Sequence, residues 1–143
     1  MIEKIEALGG NDAYPVVPLD LFFADNDDEA SFAPNLEPHP GIARIYSVLR
    51  SMRERDDVED VVVQIDEVMP SPEWPYAPAV YVLTRATAEQ VHEWASSIEP
   101  DELAEPDSGN YGWLEFGDRD RSTPPPGAPE VPAGYRAVIL FWD

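Results

Sequence analysis

The sequence predicts an α+β domain built on one antiparallel sheet, and three observations carry that prediction. Residues 58–69 and 79–84 are runs rich in β-branched and aromatic side chains, separated by the proline-broken stretch 70–78, which is the pattern of a β-hairpin. Residues 40–55 and 88–98 carry apolar side chains at helical spacing. The chain closes on Tyr-Arg-Ala-Val-Ile-Leu-Phe-Trp over 135–142, an apolar strand pattern that ties this end into the sheet.

Taken in order, Ile2, Ile5 and Leu8 recur at near-helical spacing before Gly9 and Gly10, so a short N-terminal helix or extension occupies 1–14. Residues 15–23 are enriched in strand formers and are read as the first strand, with Pro18 at its beginning or at a bulge. Pro34 and Asn35 break the following loop. Pro40 then suits the first turn of a helix over 40–55, whose stripe is Ile42, Ile45, Tyr46, Leu49 and Met52. In the hairpin, Val61, Val63 and Ile65 face one way and Val62 and Gln64 the other. Val80 and Val82 oppose Tyr81 and Leu83, so 79–84 is apolar on both faces and reads as a central strand. Thr87 and Gln90 have the spacing of a capping box and open the second helix, 88–98. Residues 99–133 read as a long loop with an acidic piece, an aromatic piece around Trp113 and a run of prolines at 124–126.

Composition narrows the function classes. The 143 residues suit a single domain, 1–143, large enough to bury a core without staples, and no cysteine is present for disulfides, thiol chemistry or cysteine metal sites. The start lacks a basic leader, and no run approaches the ~20 apolar residues of a membrane span. A cytoplasmic protein is expected. Asp and Glu number 29 against 9 Lys and Arg, a formal net charge of −20. That surface repels phosphate backbones and anionic headgroups, so neither nucleic acid nor membrane is an expected partner. A solubilising surface explains the same charge.

The order strand, helix, strand, strand, helix, strand resembles the ferredoxin-like βαββαβ plait over roughly residues 15–142. The resemblance implies a four-stranded antiparallel sheet ordered 4-1-3-2 with two helices on one face. The fourth strand is apolar on both sides although the plait places it at an edge. Its second face therefore needs a cover from the Trp113 segment, the N-terminal helix or a second copy of the chain in a homodimer. Counting strand directions in the plait sends the loops 24–39, 69–78 and 99–133 to one end, the usual arrangement of a site.

That end would gather Asp25, Asp27, Asp28, Glu29, Trp74, Tyr76, Asp101, Glu102 and Trp113. Aromatic residues on a proline-stiffened loop make anchors of low entropic cost, and carboxylates around them suit a basic target. The expected function is a non-enzymatic acidic protein-binding domain of the immunity or inhibitor type, taking a basic protein partner and needing no cofactor. One alternative is a metal-assisted enzyme that uses the loop carboxylates with His39, although Asp25-x-Asp27-x-Glu29 lacks the glycine of a calcium loop. Another is a self-associating structural domain. No nucleophile elbow, phosphate-binding glycine loop or paired-histidine metal motif is present.

Overall fold

A computed structural model describes residues 2–7, 15–66, 74–100, 102–104 and 126–142. Helix α1 (Ile2–Ala7) precedes strand β1 (Val16–Pro18), which passes directly into α2 (Leu19–Phe23). A 3-10 turn, Glu29–Ser31, leads on to α3 (Ile42–Arg53). The hairpin strands β2 (Val58–Gln64) and β3 (Ala79–Thr84) come next. Helix α4 (Ala88–Trp94), a second 3-10 turn (Ser96–Ile98) and strands β4 (Glu102–Ala104) and β5 (Arg136–Phe141) complete the order. All five strands join one antiparallel sheet in the order β1-β2-β3-β5-β4.

The α+β class and the antiparallel sheet of the four expected strands are therefore observed, while the plait's strand order is corrected. Strand one lies at an edge and strand four inside, next to the short β4, which falls within the stretch read as a long loop. Pro18 accounts for the first change. It has φ −58° and ψ 146°, and the chain leaves strand geometry there. Beyond it, Leu19, Phe22 and Phe23 stand at i, i+3 and i+4 and are buried as the inner face of α2 rather than as a continued strand. Three residues make a short edge strand, where a proline opposite Val62 leaves no central ladder broken.

The register separates two apolar faces. Val61, Val63, Ile65, Val80, Val82, Val138 and Leu140 pack with Ile5, with α2 and α3, and with Ala88 and Val91 of α4. Both long predicted helices thus lie on one face, accompanied by α1 and α2. On the opposite face Val62, Tyr81, Leu83 and Ile139 are buried with Ala128, Val131 and Phe141 packed against them. This second face is already covered within one chain. Residues 126–135 cross it, anchored where the Val16 amide donates to the Pro126 carbonyl at 2.8 Å. All six residues of β3 are buried, as the two-sided pattern predicts.

The sheet has a hairpin end and a far end. At the far end the Asp57 carbonyl accepts from the Arg85 amide and the Thr84 hydroxyl, at 2.9 and 2.7 Å, which clasps the turn after α3 to the turn after β3. Helix α4 starts beside that clasp with the predicted capping box. The Gln90 amide donates to Thr87 Oγ1 at 3.2 Å and the Thr87 amide to Gln90 Oε1 at 2.9 Å.

Helix α2 is held to α3 by a charged staple. The Tyr46 hydroxyl donates to Asp20 Oδ1, and Arg53 Nη1 lies 3.1 Å from the same oxygen. Tyr46 is stacked on Phe23 with ring centroids 5.5 Å apart, and the Arg50 guanidinium sits 4.7 Å from its ring centre. The Tyr46 hydrogen bond, with Arg53 behind it, holds the Asp20 carboxyl below its ordinary value. A lowered pKa in the folded state adds stability above the unfolded value and loses it as pH falls through the folded one. Asp60, whose pKa is raised by burial, acts in the opposite sense. Asp20→Asn isolates the staple. It is expected to cost about 0.5 kcal/mol at pH 7, a surface-sized effect because water screens the carboxylate, and the gap from wild type should close below about pH 4. Urea unfolding at pH 7 and pH 3 measures both quantities, and a gap that does not narrow would show that the staple contributes nothing through charge.

Candidate functional site

The loop 24–41 reaches the hairpin end because α2 turns the chain back after Pro18, and aromatic packing fixes it there. Phe22 and Phe23 meet edge to face at 4.9 Å, Phe23 meets Phe32 at 5.2 Å, and Phe32 meets Trp142 at 5.0 Å. Each such contact contributes about 0.5–1.5 kcal/mol beyond area burial. Trp142 in turn donates from Nε1 to the Ile98 carbonyl at 2.7 Å, and its amide donates to the Pro78 carbonyl at 2.8 Å. This row of rings joins the loop after α2, the segment entering β3, the end of the second 3-10 turn and the close of β5. The Ala77 amide adds a bond to the Ser31 carbonyl at 2.9 Å.

Above this base the acidic loop is organised by its own polar side chains. The Asp28 amide donates to Asn26 Oδ1 at 2.9 Å, and Asn26 Nδ2 donates to Ser31 Oγ at 2.9 Å. The Ser31 hydroxyl donates to the Asp28 carbonyl at 2.6 Å. Asp28 caps the 3-10 turn, with Oδ1 accepting from the Ala30 amide at 3.0 Å, while Oδ2 lies 3.4 Å from the Trp74 amide. Asn26 and Ser31 are buried, so these bonds are made away from water, where leaving a group unpaired is costly.

The predicted site residues divide accordingly. Asp25, Asp27 and Glu29 are exposed on the loop and face solvent. Asp28 is half-buried, and its carboxylate serves the loop and the neighbouring segment. Trp74 is half-buried, packed on the helix-side core, and its Nε1 donates to the Phe22 carbonyl at 2.9 Å, so it folds back over the core. Tyr76 is half-buried beside it, and its carbonyl accepts from the Asp66 amide at 2.9 Å. Glu102 opens β4 opposite Phe141. Asp101 and Trp113 lie outside the described residues. The loop carboxylates and the Trp74 segment are thus brought together, by a different strand order from the one that suggested it.

The backbone at this end is unusual. Asp25 has φ 64°, Ala33 φ 51° and Glu99 φ 47°, all in the left-handed region that favours glycine, and these are the non-glycine residues with positive φ among those described. Each costs about 1 kcal/mol or more and persists because its surroundings hold it. Sequence reasoning missed Asn26, Ser31, Ala33 and Glu99. A readable signal existed for the first two: Asn26-x-Asp28 and Asp28-x-x-Ser31 are spacings at which short polar side chains bond the nearby backbone.

Charge is segregated between the ends. The described segments gathered at the hairpin end, 24–41, 65–66, 74–78 and 98–100, hold Asp25, Asp27, Asp28, Glu29, Glu37, Asp66 and Glu99 and no Lys or Arg, and the exposed Arg44 follows in the first turn of α3. Arginines at the far end are engaged locally. Arg55 lies 3.8 Å from the Trp94 ring centre and donates from Nε to Asp57 Oδ1 at 3.1 Å. Arg85 donates to the Asp56 carbonyl at 2.9 Å and sits 5.6 Å from the Tyr135 ring centre. A groove of about 440 Å³ lined by Glu54, Arg55, Asp56, Asp57 and Arg85 opens there. Its cations are spent on clasping the two turns and on aromatic faces.

His39 is held by backbone on both sides of its ring. Nε2 faces the Phe32 carbonyl at 3.0 Å and Nδ1 accepts from the Gly41 amide at 2.9 Å, so backbone occupies both nitrogens. Among the described residues, no three His, Asp or Glu side chains converge as metal ligands would.

Comparison with known proteins places the chain. The family model described as the Uncharacterized protein YfbO family matches residues 1–140. The chain belongs to that family. Uncharacterized protein YfbO of Escherichia coli (strain K12) is 34% identical over 130 residues, covering 90% of this chain and 83% of the relative. No solved structure matches. Among the described residues, no helix of this YfbO-family chain is long and apolar enough to cross a membrane.

The two kinds of loop carboxylate should separate by mutation. Asp28→Ala is expected to destabilise by about 1–2 kcal/mol through loss of the cap and its bonds, whereas Asp27→Ala should stay within about 0.5 kcal/mol of wild type. Denaturant midpoints at pH 7 compare them, and equal losses would mean that Asp28 has no structural role.

Proposed function

We propose that this protein is a non-enzymatic acidic binding domain of the immunity or inhibitor type, whose hairpin end receives a basic protein partner. One observation carries the reading. Seven carboxylates occur in the described loop segments at that end, against the exposed Arg44 in the first turn of α3, while the arginines of the far end are paired with rings, carbonyls and carboxylates. Unbalanced charge of one sign attracts an oppositely charged surface, raises association rates and loses its effect in salt. The half-buried Trp74 and Tyr76 supply apolar contact area beside the carboxylates, on segments already held in place. Little ordering entropy would then be lost on binding. A cytoplasmic setting suits the reading, since a cysteine-free chain has no thiols to protect or oxidise.

The test spares Asp28 because of its structural bonds. Wild-type protein immobilised at low salt should retain a basic protein from the lysate of its own cells and release it by about 0.5 M salt, where the screening length is only a few Å. Reversing Asp25, Asp27 and Glu29 together to Lys should slow association at least about tenfold. The same charge change at Glu54, Asp56 and Glu59 should have a smaller effect. Failure to retain any basic protein, or equal loss from both triple variants, would exclude an acidic-end interface.

A further inference from the structure

We propose that His39 is a proton-operated latch. In its neutral form it holds the acidic loop to the start of α3, and on taking up a proton it exchanges Gly41 for Glu29. The latch does not depend on whether the acidic end binds a partner.

The hydrogen bonds assign the tautomer. Nδ1 accepts from the Gly41 amide at 2.9 Å, and a nitrogen that accepts carries no hydrogen of its own. The ring proton therefore sits on Nε2, which donates to the Phe32 carbonyl at 3.0 Å. Neutral His39 thus joins two backbone positions, Phe32 at the foot of the acidic loop and Gly41 at the start of α3. Gly41 is the residue preceding α3 and has φ 94°, a conformation that leaves its amide outside the helix ladder. Its carbonyl accepts the Ile45 amide at 3.2 Å, so the ring nitrogen fixes the residue on which the first helical bond depends.

A second proton can be placed only on Nδ1. There it meets the Gly41 N–H, donor against donor, and the 2.9 Å contact can no longer be a hydrogen bond. The side chain is 9% exposed, which leaves little access to water as a replacement acceptor, while Glu29 Oε1 stands 3.6 Å from Nδ1 on a side chain 62% exposed. That carboxylate is outside hydrogen-bond range of the neutral ring and can close by rotamer change on the charged one. Glu29 is the described carboxylate within 4 Å of the ring nitrogens. Glu37 on the histidine's own loop and Arg44 in the first turn of α3 are both exposed to solvent. Protonation therefore replaces a bond to the α3 start with one to the 3-10 turn that begins at Glu29.

Nitrogen-15 NMR of the whole chain between pH 8 and pH 5 tests the latch. At pH 8 the His39 ring should show the hydrogen on Nε2. On lowering the pH, the Gly41 amide should shift, and its protection against exchange, corrected for intrinsic rates, should fall about tenfold or more. His39→Asn keeps an oxygen able to accept from the amide two residues on, as in an Asx turn, without a titrating group. Gly41 protection should then be equal at both pH values. Glu29→Gln, an exposed substitution that leaves the pH 8 arrangement intact, should move the Gly41 transition to lower pH. A ring hydrogen on Nδ1 at pH 8, unchanged Gly41 protection in the wild type, persistence of the change in His39→Asn, or an unmoved transition in Glu29→Gln would each overturn the proposal.

Discussion

Strand β3 sets the terms for the rest of the molecule. All six of its residues are buried, with Val80 and Val82 on one face and Tyr81 and Leu83 on the other, so neither side of the sheet can be left to water. At roughly 1.5–3 kcal/mol for each large side chain removed from solvent, both faces demand a cover. Helices supply one because 3.6-residue periodicity gives α3 an apolar stripe to lay across the valines. Residues 126–135 supply part of the other, with Ala128 and Val131 on the second face and Pro126 tied to the outer edge of β1. The same anchor occupies the Val16 amide, which on an edge strand would otherwise invite pairing with another chain. Cover and edge protection thus come from one segment, and the motive for seeking a second copy over that face disappears.

What could be read from the sequence follows from the range of the forces involved. The capping box at Thr87 and Gln90, the stripe of α3 and the alternation in β2 and β3 depend on neighbours within one element, and each emerges as expected. Strand order depends on what the chain does after Pro18. There, Leu19 to Phe23 satisfies a period of two and a period of 3.6 about equally well over five residues, and short apolar runs are ambiguous on that account. Burial of Phe22 and Phe23 together, against Phe32 and Tyr46, decides for the helix, and this is tertiary information. With α2 in place the first strand ends after three residues and goes to the edge. The fourth, whose two apolar faces conflicted with an edge position, moves inside.

The gathering of loops at the hairpin end is legible in the sequence through its aromatic residues rather than through strand direction. Direction counting in a plait brings the loop 24–39 beside the hairpin tip through a long upward first strand. In the structure the strand is reversed relative to that scheme, and α2 returns the chain to the same place. The constant is the aromatic content of the segments. Phe22, Phe23 and Phe32 flank the acidic loop, Trp74 flanks the hairpin and Trp142 ends β5, and burying them together requires that these segments meet. Aromatic residues at the roots of polar loops are therefore better evidence for where loops gather than topology alone.

Net charge, by contrast, says nothing of how carboxylates divide their roles. Asp28 lies among Asp25, Asp27 and Glu29 in an acidic run interrupted by Asn26, yet its oxygens face the Ala30 and Trp74 amides while its neighbours are exposed. Its separation from them comes from buried Asn26 and Ser31, which bend the loop so that one carboxylate in four points inward. Building the loop this way spends polar groups and two strained residues, Asp25 and Ala33, on local shape. A loop whose only task was solubility would have no need of a fixed shape, since solvated charges repel equally well from a disordered chain. Fixed shape under exposed charge is more than solubility requires, and it is present at this end of the sheet.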